Sequence, residues 1–347
     1  MSELAEKVAF LSEPEAYGPD VRHVEVRETH MSWVFLTEVE VYKLKKPVTY
    51  PYLDFGTVEK RRRNCEVEVR LNRRLAADVY LGIVPLHRKA RGKLSLNGAG
   101  EVIDWLVHMK RLPEADMLDR RILDGRCSQA DIEPLGGLLA SFYASLPPET
   151  ECGQAYLDHL RREQPINRSV LEVPELGLVE SAQPLLDALD RAIDLFRPKL
   201  EARIASGCMR EGHGDLRPEH VCLNHDPKII DCLEFNRDMR IVDPFDEVNY
   251  LGIECEMLGA AWIRPALLEI VDRGIGHRPE PDVMALYGTF RALLRARLCA
   301  AHLLEDDVRR RDEWKPQALG YLALAEREAV NLPSREDRKS RPSHADT

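Results

Sequence analysis

The residues best suited to chemistry lie in one short stretch. His213-Gly214-Asp215-Leu216-Arg217-Pro218-Glu219-His220 is followed by the apolar run Val221-Cys222-Leu223, a turn at 224–227, and then Lys228-Ile229-Ile230-Asp231. A tight loop carrying one carboxylate, with a hairpin that brings back a second, meets the needs of phosphoryl transfer. One carboxylate positions the attacking hydroxyl and accepts its proton, and the other holds Mg²⁺ against the phosphates. Asp215 takes the first role in this reading and Asp231 the second. In kinases the catalytic aspartate precedes a metal-binding asparagine by five positions. Here that position is His220. Mg²⁺ prefers oxygen ligands while imidazole suits softer metals, so a second metal site at His220 is either altered or absent.

Other chemistries leave no comparable trace. The sequence has no G-x-x-x-x-G-K-[ST] phosphate loop, no G-x-G-x-x-G after a strand, no H-E-x-x-H and no G-x-S-x-G. Asp54-Phe55-Gly56 spells a kinase metal motif, but it lies far upstream of the loop and reads as a turn before a helix.

The elements that must position these residues follow from periodicity. Residues 4–11 have helical apolar spacing, broken at 14–18. Residues 34–36 and 39–44 read as an antiparallel strand pair ended by Lys45-Lys46-Pro47. Thr57 is a candidate N-cap for a long charged helix reaching about residue 77. The spacing then predicts a hairpin in which 94–96 turns through Asn97-Gly98 into 102–109, because Asn-Gly readily supplies positive φ. This makes a small α+β lobe over residues 1–110. From 111 to 333 the pattern is mainly helical, at 135–146, 155–162, 185–204, 246–258 and 282–304. Val221 to Phe235 is the strand-like interruption. The polar tail 334–347 is expected to be disordered.

Four ordered anchors together resemble the aminoglycoside phosphotransferase-like kinases, which include choline kinases, and specifically a bacterial branch of mostly unassigned substrate. They are Thr29-His30-Met31-Ser32-Trp33-Val34-Phe35-Leu36, Val41-Tyr42-Lys43-Leu44-Lys45-Lys46-Pro47, the His213 loop, and Ile230-Asp231-Cys232-Leu233-Glu234-Phe235-Asn236. The resemblance runs from the first helix to about residue 330. It implies an α+β, protein-kinase-like two-lobed fold with ATP (or GTP) and Mg²⁺ as cofactors. Val41-x-Lys43 is similar to the strand whose lysine reaches the α- and β-phosphates. Strand alternation puts Val41, Lys43 and Lys45 on one face, so Lys43 is chosen and Lys45 held in reserve. The helix should offer that lysine a carboxylate. Glu68, with Leu71 and Leu75 following at helical spacing, is preferred to Glu66. The segment 29–33, where a glycine-rich flap is usual, has no glycine, which leaves backbone N–H groups and Ser32 for any phosphate contact. Asp246 resembles the buried aspartate that braces the catalytic loop. His213 is grouped with Asp215 and expected to brace likewise, with direct chemistry as the other reading.

Composition narrows the class. A net charge of −10 argues against nucleic acid as partner. No apolar run reaches the roughly 20 residues needed to cross a bilayer. The eight cysteines lack zinc-like or C-x-x-C spacing, and no leader is recognised. These features are those expected of a cytoplasmic protein with free thiols. The expected activity is transfer of a γ-phosphoryl group to a hydroxyl of a small molecule. A cationic acceptor would suit acidic positions such as Asp246, Glu247, Glu254 and Glu256. His220 and the glycine-free flap motivate the alternative of a catalytically weak nucleotide-binding regulator. A protein kinase ranks third, since only fifteen positions (246 − 231) separate Asp231 from Asp246.

Overall fold

The computed structural model describes residues 3–50, 53–96, 98, 100–151, 153–305 and 311–333. The expected tail 334–347 and the turn residue Asn97 lie outside the described residues. Along the first third run α1 (Glu3–Leu11), β1 (Glu25–Glu28), β2 (Ser32–Leu36), β3 (Glu40–Lys45), β4 (Thr49–Tyr50), β5 (Leu53–Asp54), α2 (Val58–Asn72), β6 (Tyr80–Arg88), β7 (Leu94–Ser95) and β8 (Glu101–Lys110). Next come α3 (Leu118–Leu123), α4 (Gln129–Ser145), α5 (Gly153–Leu171), α6 (Val179–Ala205), β9 (Arg210–Glu211), β10 (Val221–Cys222), β11 (Lys228–Ile229) and β12 (Ile241–Val242). The chain finishes with α7 (Pro244–Met257), α8 (Ile263–Ile275), α9 (Pro281–His302) and α10 (Arg311–Ala329). Its contacts divide into two compact units, Met1–Arg121 with Glu219–Arg237, and Ile122–Pro218 with Asp238–Thr347. The first unit thus takes up the hairpin at 219–237 in addition to the stretch expected from sequence.

In the first unit a six-stranded antiparallel sheet has the order β1-β2-β3-β8-β6-β7. Alternation along β3 serves two cores. Tyr42 and Leu44 join Phe35, Leu86, Leu106 and Leu11 of α1 on one side, while Val41 joins Cys65 and Val69 of α2 with Val107 and Tyr80 on the other. Lys43 and Lys45 therefore share the α2 side. Helix α2 starts as expected, with Thr57 Oγ1 accepting the Lys60 N–H at 3.2 Å. Its buried stripe is Arg61, Cys65, Glu68 and Asn72, which are four, three and four residues apart.

The expected hairpin across Asn97-Gly98 does not form. β7 pairs with β6, His87 opposite Ser95 and Arg88 opposite Leu94, and β8 lies between β3 and β6. Strand β6 escaped the pattern because Gly82, at φ +156°, and Pro85 interrupt its apolar alternation, with a register shift between Tyr80 and Gly82. Asp54-Phe55-Gly56 is the turn leading into α2, with Asp54 accepting from the Gly56 N–H and from Lys60.

The second unit is helical. α4 packs on α8, α5 on α6, α7 on α8, and α9 meets α5, α6, α7 and α10. Two buried ion pairs fix α7. Asp246 is held by Arg291 of α9 at 2.9 and 2.6 Å and by the Tyr156 hydroxyl of α5 at 3.1 Å. Asp243, the N-cap of α7, is held by Arg203 of α6 at 2.5 Å and by the Tyr287 hydroxyl at 2.9 Å. Among the described residues no helix is long and apolar enough to cross a membrane, and the seven described cysteines are free.

Candidate functional site

In the first unit, β3, α2 and the segment after β11 bring five charges into one row. Lys43 Nζ lies 3.0 Å from Glu68 Oε1 and 2.7 Å from Asp231 Oδ1. Lys45 Nζ lies 2.5 Å from Glu68 Oε2 and 2.5 Å from Glu234 Oε1. Both lysines chosen from the strand pattern thus meet the helix carboxylate chosen for them. Burial would push the Lys43 ammonium down, but Asp231, Glu68 and Glu234 outweigh it and hold the group charged. Desolvation would likewise push Glu68 and Asp231 up, and the lysine ammonium groups reverse it in both, Lys43 and Lys45 for Glu68 and Lys43 foremost for Asp231. The row alternates in sign, which is the arrangement that keeps charges ionised out of water.

Asp231 is a non-glycine residue at φ +59°, a conformation that persists only where the surroundings enforce it. The Tyr80 hydroxyl accepts its N–H at 3.1 Å, and Asn72 Oδ1 accepts the next N–H, that of Cys232, at 2.8 Å. Arg74 reaches Cys232 Sγ at 3.3 Å. The expected hairpin of β10 and β11 delivers the segment, Val221 opposite Ile229. His220 precedes that hairpin. Its carbonyl accepts the Ile230 N–H at 2.9 Å and its Nε2 is 3.6 Å from Asp231 Oδ2. Ser32 sits buried in β2, opposite Lys45, while the adjoining turn is held by Thr29 Oγ1, which accepts the Ser32 N–H at 3.0 Å.

Among the described residues no group of three or more His, Cys, Asp or Glu gathers as a metal cluster. The Asp231 carboxylate nevertheless fits a hard cation. It is ionised, its side chain is 44% exposed, and Lys43 engages Oδ1 while Oδ2 lies toward the neighbouring imidazole.

In the second unit, the short β9–β12 ladder and the Gly212 N–H to Arg240 carbonyl bond of 2.8 Å set the start of the loop. Gly214 takes φ +88°. His213 is buried, and its Nδ1 accepts the Asp215 N–H at 3.3 Å, a bracing arrangement. Asp215, with a side chain 34% exposed, has Arg217 Nε 3.0 Å from its Oδ1. The brace from α7 is Glu247, not Asp246. Glu247 accepts the His213 N–H at 3.0 Å, the Gly214 N–H at 2.5 Å and the Tyr143 hydroxyl at 2.6 Å. Asp246 is instead committed to Arg291, one position away on the helix. Gly212 makes room for it, since a Cβ there would overlap the Glu247 carboxylate and come 2.7 Å from Val242 Cγ2. Burial pushes the Glu247 carboxyl above its ordinary range, and the three donors offset this only in part.

No protein-family model matches this chain. An uncharacterised protein of Mycobacterium tuberculosis is 28% identical over 286 residues, covering 80% of this chain. The chain spans about half, 55%, of the length of that relative. A choline kinase of Cryptosporidium parvum superposes with a TM-score of 0.54 at 9% identity, covering 94% of this chain and 95% of its own. A choline/ethanolamine kinase family protein of Mesorhizobium loti gives 0.50 at 14% identity, covering 97% of each chain. The fold is therefore the α+β, protein-kinase-like fold found in choline kinases, with an antiparallel-sheet part followed by a helical part.

Proposed function

We propose that this chain is a small-molecule kinase that transfers the γ-phosphoryl group of ATP, or GTP, to a hydroxyl acceptor. The observation that carries the reading is the row Glu68–Lys43–Asp231, in which a strand lysine is held between a helix carboxylate and a second, exposed carboxylate. Lys43 would bind phosphate oxygens, with Glu68 fixing its ammonium. Asp231, with His220 beside it, would hold Mg²⁺. Bound there, the metal would neutralise charge on the phosphates. Asp215 would orient the acceptor hydroxyl and take its proton, on a loop held by His213 and Glu247. Glu254 and Glu256 of α7 do not mark a cationic acceptor, since Arg295 and the Tyr321 hydroxyl hold the first and Arg264 and Arg327 hold the second, so the acceptor is assigned only as a small-molecule hydroxyl.

Asp215→Asn tests the assignment. Transfer should fall on the order of 10²–10⁴-fold, the usual worth of a general base, while nucleotide affinity is retained. Unchanged turnover across acceptors drawn from a metabolite extract would overturn it. The imidazole 3.6 Å from Asp231 supports one second reading, a weakly catalytic nucleotide-binding regulator. Thermal-shift titration with ATP and Mg²⁺ or Mn²⁺, alongside a phosphate-release assay, separates the two, since the regulator binds nucleotide with little or no turnover.

A further inference from the structure

We propose that Lys45 and Glu234 form a positioning pair that holds the Asp231 carboxylate in place for the metal while Lys43 turns to the nucleotide. The inference rests on the phosphotransferase reading and concerns two residues that touch neither phosphate nor acceptor in it.

Two lysines divide Glu68 between them, one oxygen each. They are not equivalent. The Lys45 side chain has no exposed surface, whereas Lys43 is 13% exposed and its partner Asp231 44%. A ligand can reach Lys43, while Lys45 is closed in by Glu68, by Glu234 and by the Phe55 ring, whose centroid is 5.1 Å from its Nζ. Lys45 thus acts as a strut joining β3, α2 and the residue three places beyond Asp231.

Such a strut is needed because Asp231 sits in a left-handed conformation that must be enforced from outside. Without nucleotide, Lys43 helps enforce it through the 2.7 Å ion pair. Once phosphates draw Lys43 away, that tie is lost at the moment the carboxylate must meet a metal. The Lys45–Glu234 pair persists and keeps the segment registered on the sheet. Lys45 also leaves Glu68 compensated, so the helix carboxylate does not hold Lys43 back. Both carboxylates together keep the buried Lys45 ammonium charged against its desolvation.

The test removes both charges at once, Lys45→Met with Glu234→Leu, so that neither member of the pair is left buried alone while Glu68 keeps Lys43. Binding of a fluorescent ATP analogue to the full chain is titrated with Mg²⁺, and hydrogen exchange is followed at residues 231–234. The Mg²⁺ concentration for half-maximal affinity should rise about tenfold or more, the usual effect of losing a group that orients a metal ligand. Affinity without metal should fall by less than affinity with it, because Glu68 then keeps Lys43 alone, and exchange at 231–234 should quicken. An unmoved Mg²⁺ requirement, or an equal loss with and without metal, overturns the proposal by reducing the pair to a structural contact. If the double variant does not fold, Glu234→Gln replaces it, with the same direction expected and an unmoved Mg²⁺ requirement again decisive. A wild-type chain that binds no Mg²⁺–nucleotide sinks the phosphotransferase reading and this role with it. Wild-type binding with an unaltered metal requirement in the variant sinks this role alone.

Discussion

The buried Glu247 accepts two consecutive backbone N–H groups of the Asp215 loop and a tyrosine hydroxyl. Glu247→Ala removes the acceptor shared by these three donors, and a donor left buried and unpaired costs about 1–3 kcal/mol. The variant should lose stability, exchange the His213 and Gly214 amides faster, and lose kcat more than nucleotide KM. Asp246→Asn should instead loosen Arg291 and α9 while leaving those two amides protected, and equal deprotection in both variants would refute the division of labour. Residue by residue, the meeting of Lys43, Lys45 and Glu68 on one side of the sheet was legible because strand alternation and helical spacing fix which face a side chain takes, whereas Asp231 was singled out by the two apolar runs around a turn and by the kinase resemblance. Glu247 was not, because two adjacent acids at a helix start differ by one step of rotation, and only the packing of Gly212 and Arg291 decides between them. Tyr80 and Asn72 support Asp231 from β6 and α2 through hydrogen bonds to backbone, and such bonds impose no spacing that a sequence could display.

Among the elements, the loop is set by what fits between β9, β12 and the start of α7. Gly212 lies there with no room for a methyl group. Gly212→Ala should therefore cost about 1–3 kcal/mol by overpacking, read as a lowered melting temperature, and should displace the Glu247 carboxylate. The Glu247→Ala background, where the crowding partner is gone, should reduce that cost, and a cost that stays the same would place the clash elsewhere. Elements with unbroken patterns were readable, such as α2 from its Thr57 cap and the hairpin of β10 and β11 from two apolar runs around a turn. Strand β6 was hidden by Gly82 and Pro85, and its absence turned β7 toward the wrong partner. Short two-residue strands such as β9 and β12 are too brief for any alternation to register.

Across the whole molecule, the two units carry opposite electrostatic responses to acid. In the first unit Glu68 and Asp231 are held low because their lysines outweigh desolvation. A carboxyl with a depressed native pKa contributes stability that is present in full above its unfolded value and drains away as pH falls toward the native one. In the second unit burial pushes Asp243 and Glu247 up, with Arg203 and the hydrogen-bond donors offsetting it only in part. A raised carboxyl behaves the other way, stabilising most below its unfolded value and losing that contribution as pH rises through the native one. Acidification below the ordinary carboxyl range, from about pH 4 to about 2, should then open β3, α2 and the Asp231 segment before α7. Hydrogen exchange corrected for its intrinsic pH dependence measures this directly. Asp231→Asn removes one of the depressed groups and, its side chain being partly exposed, should fold and show a shallower acid loss in the first unit. Opening of α7 ahead of the sheet, or an acid loss in Asp231→Asn as steep as in the wild type, would mean that the charged row does not govern the pH response.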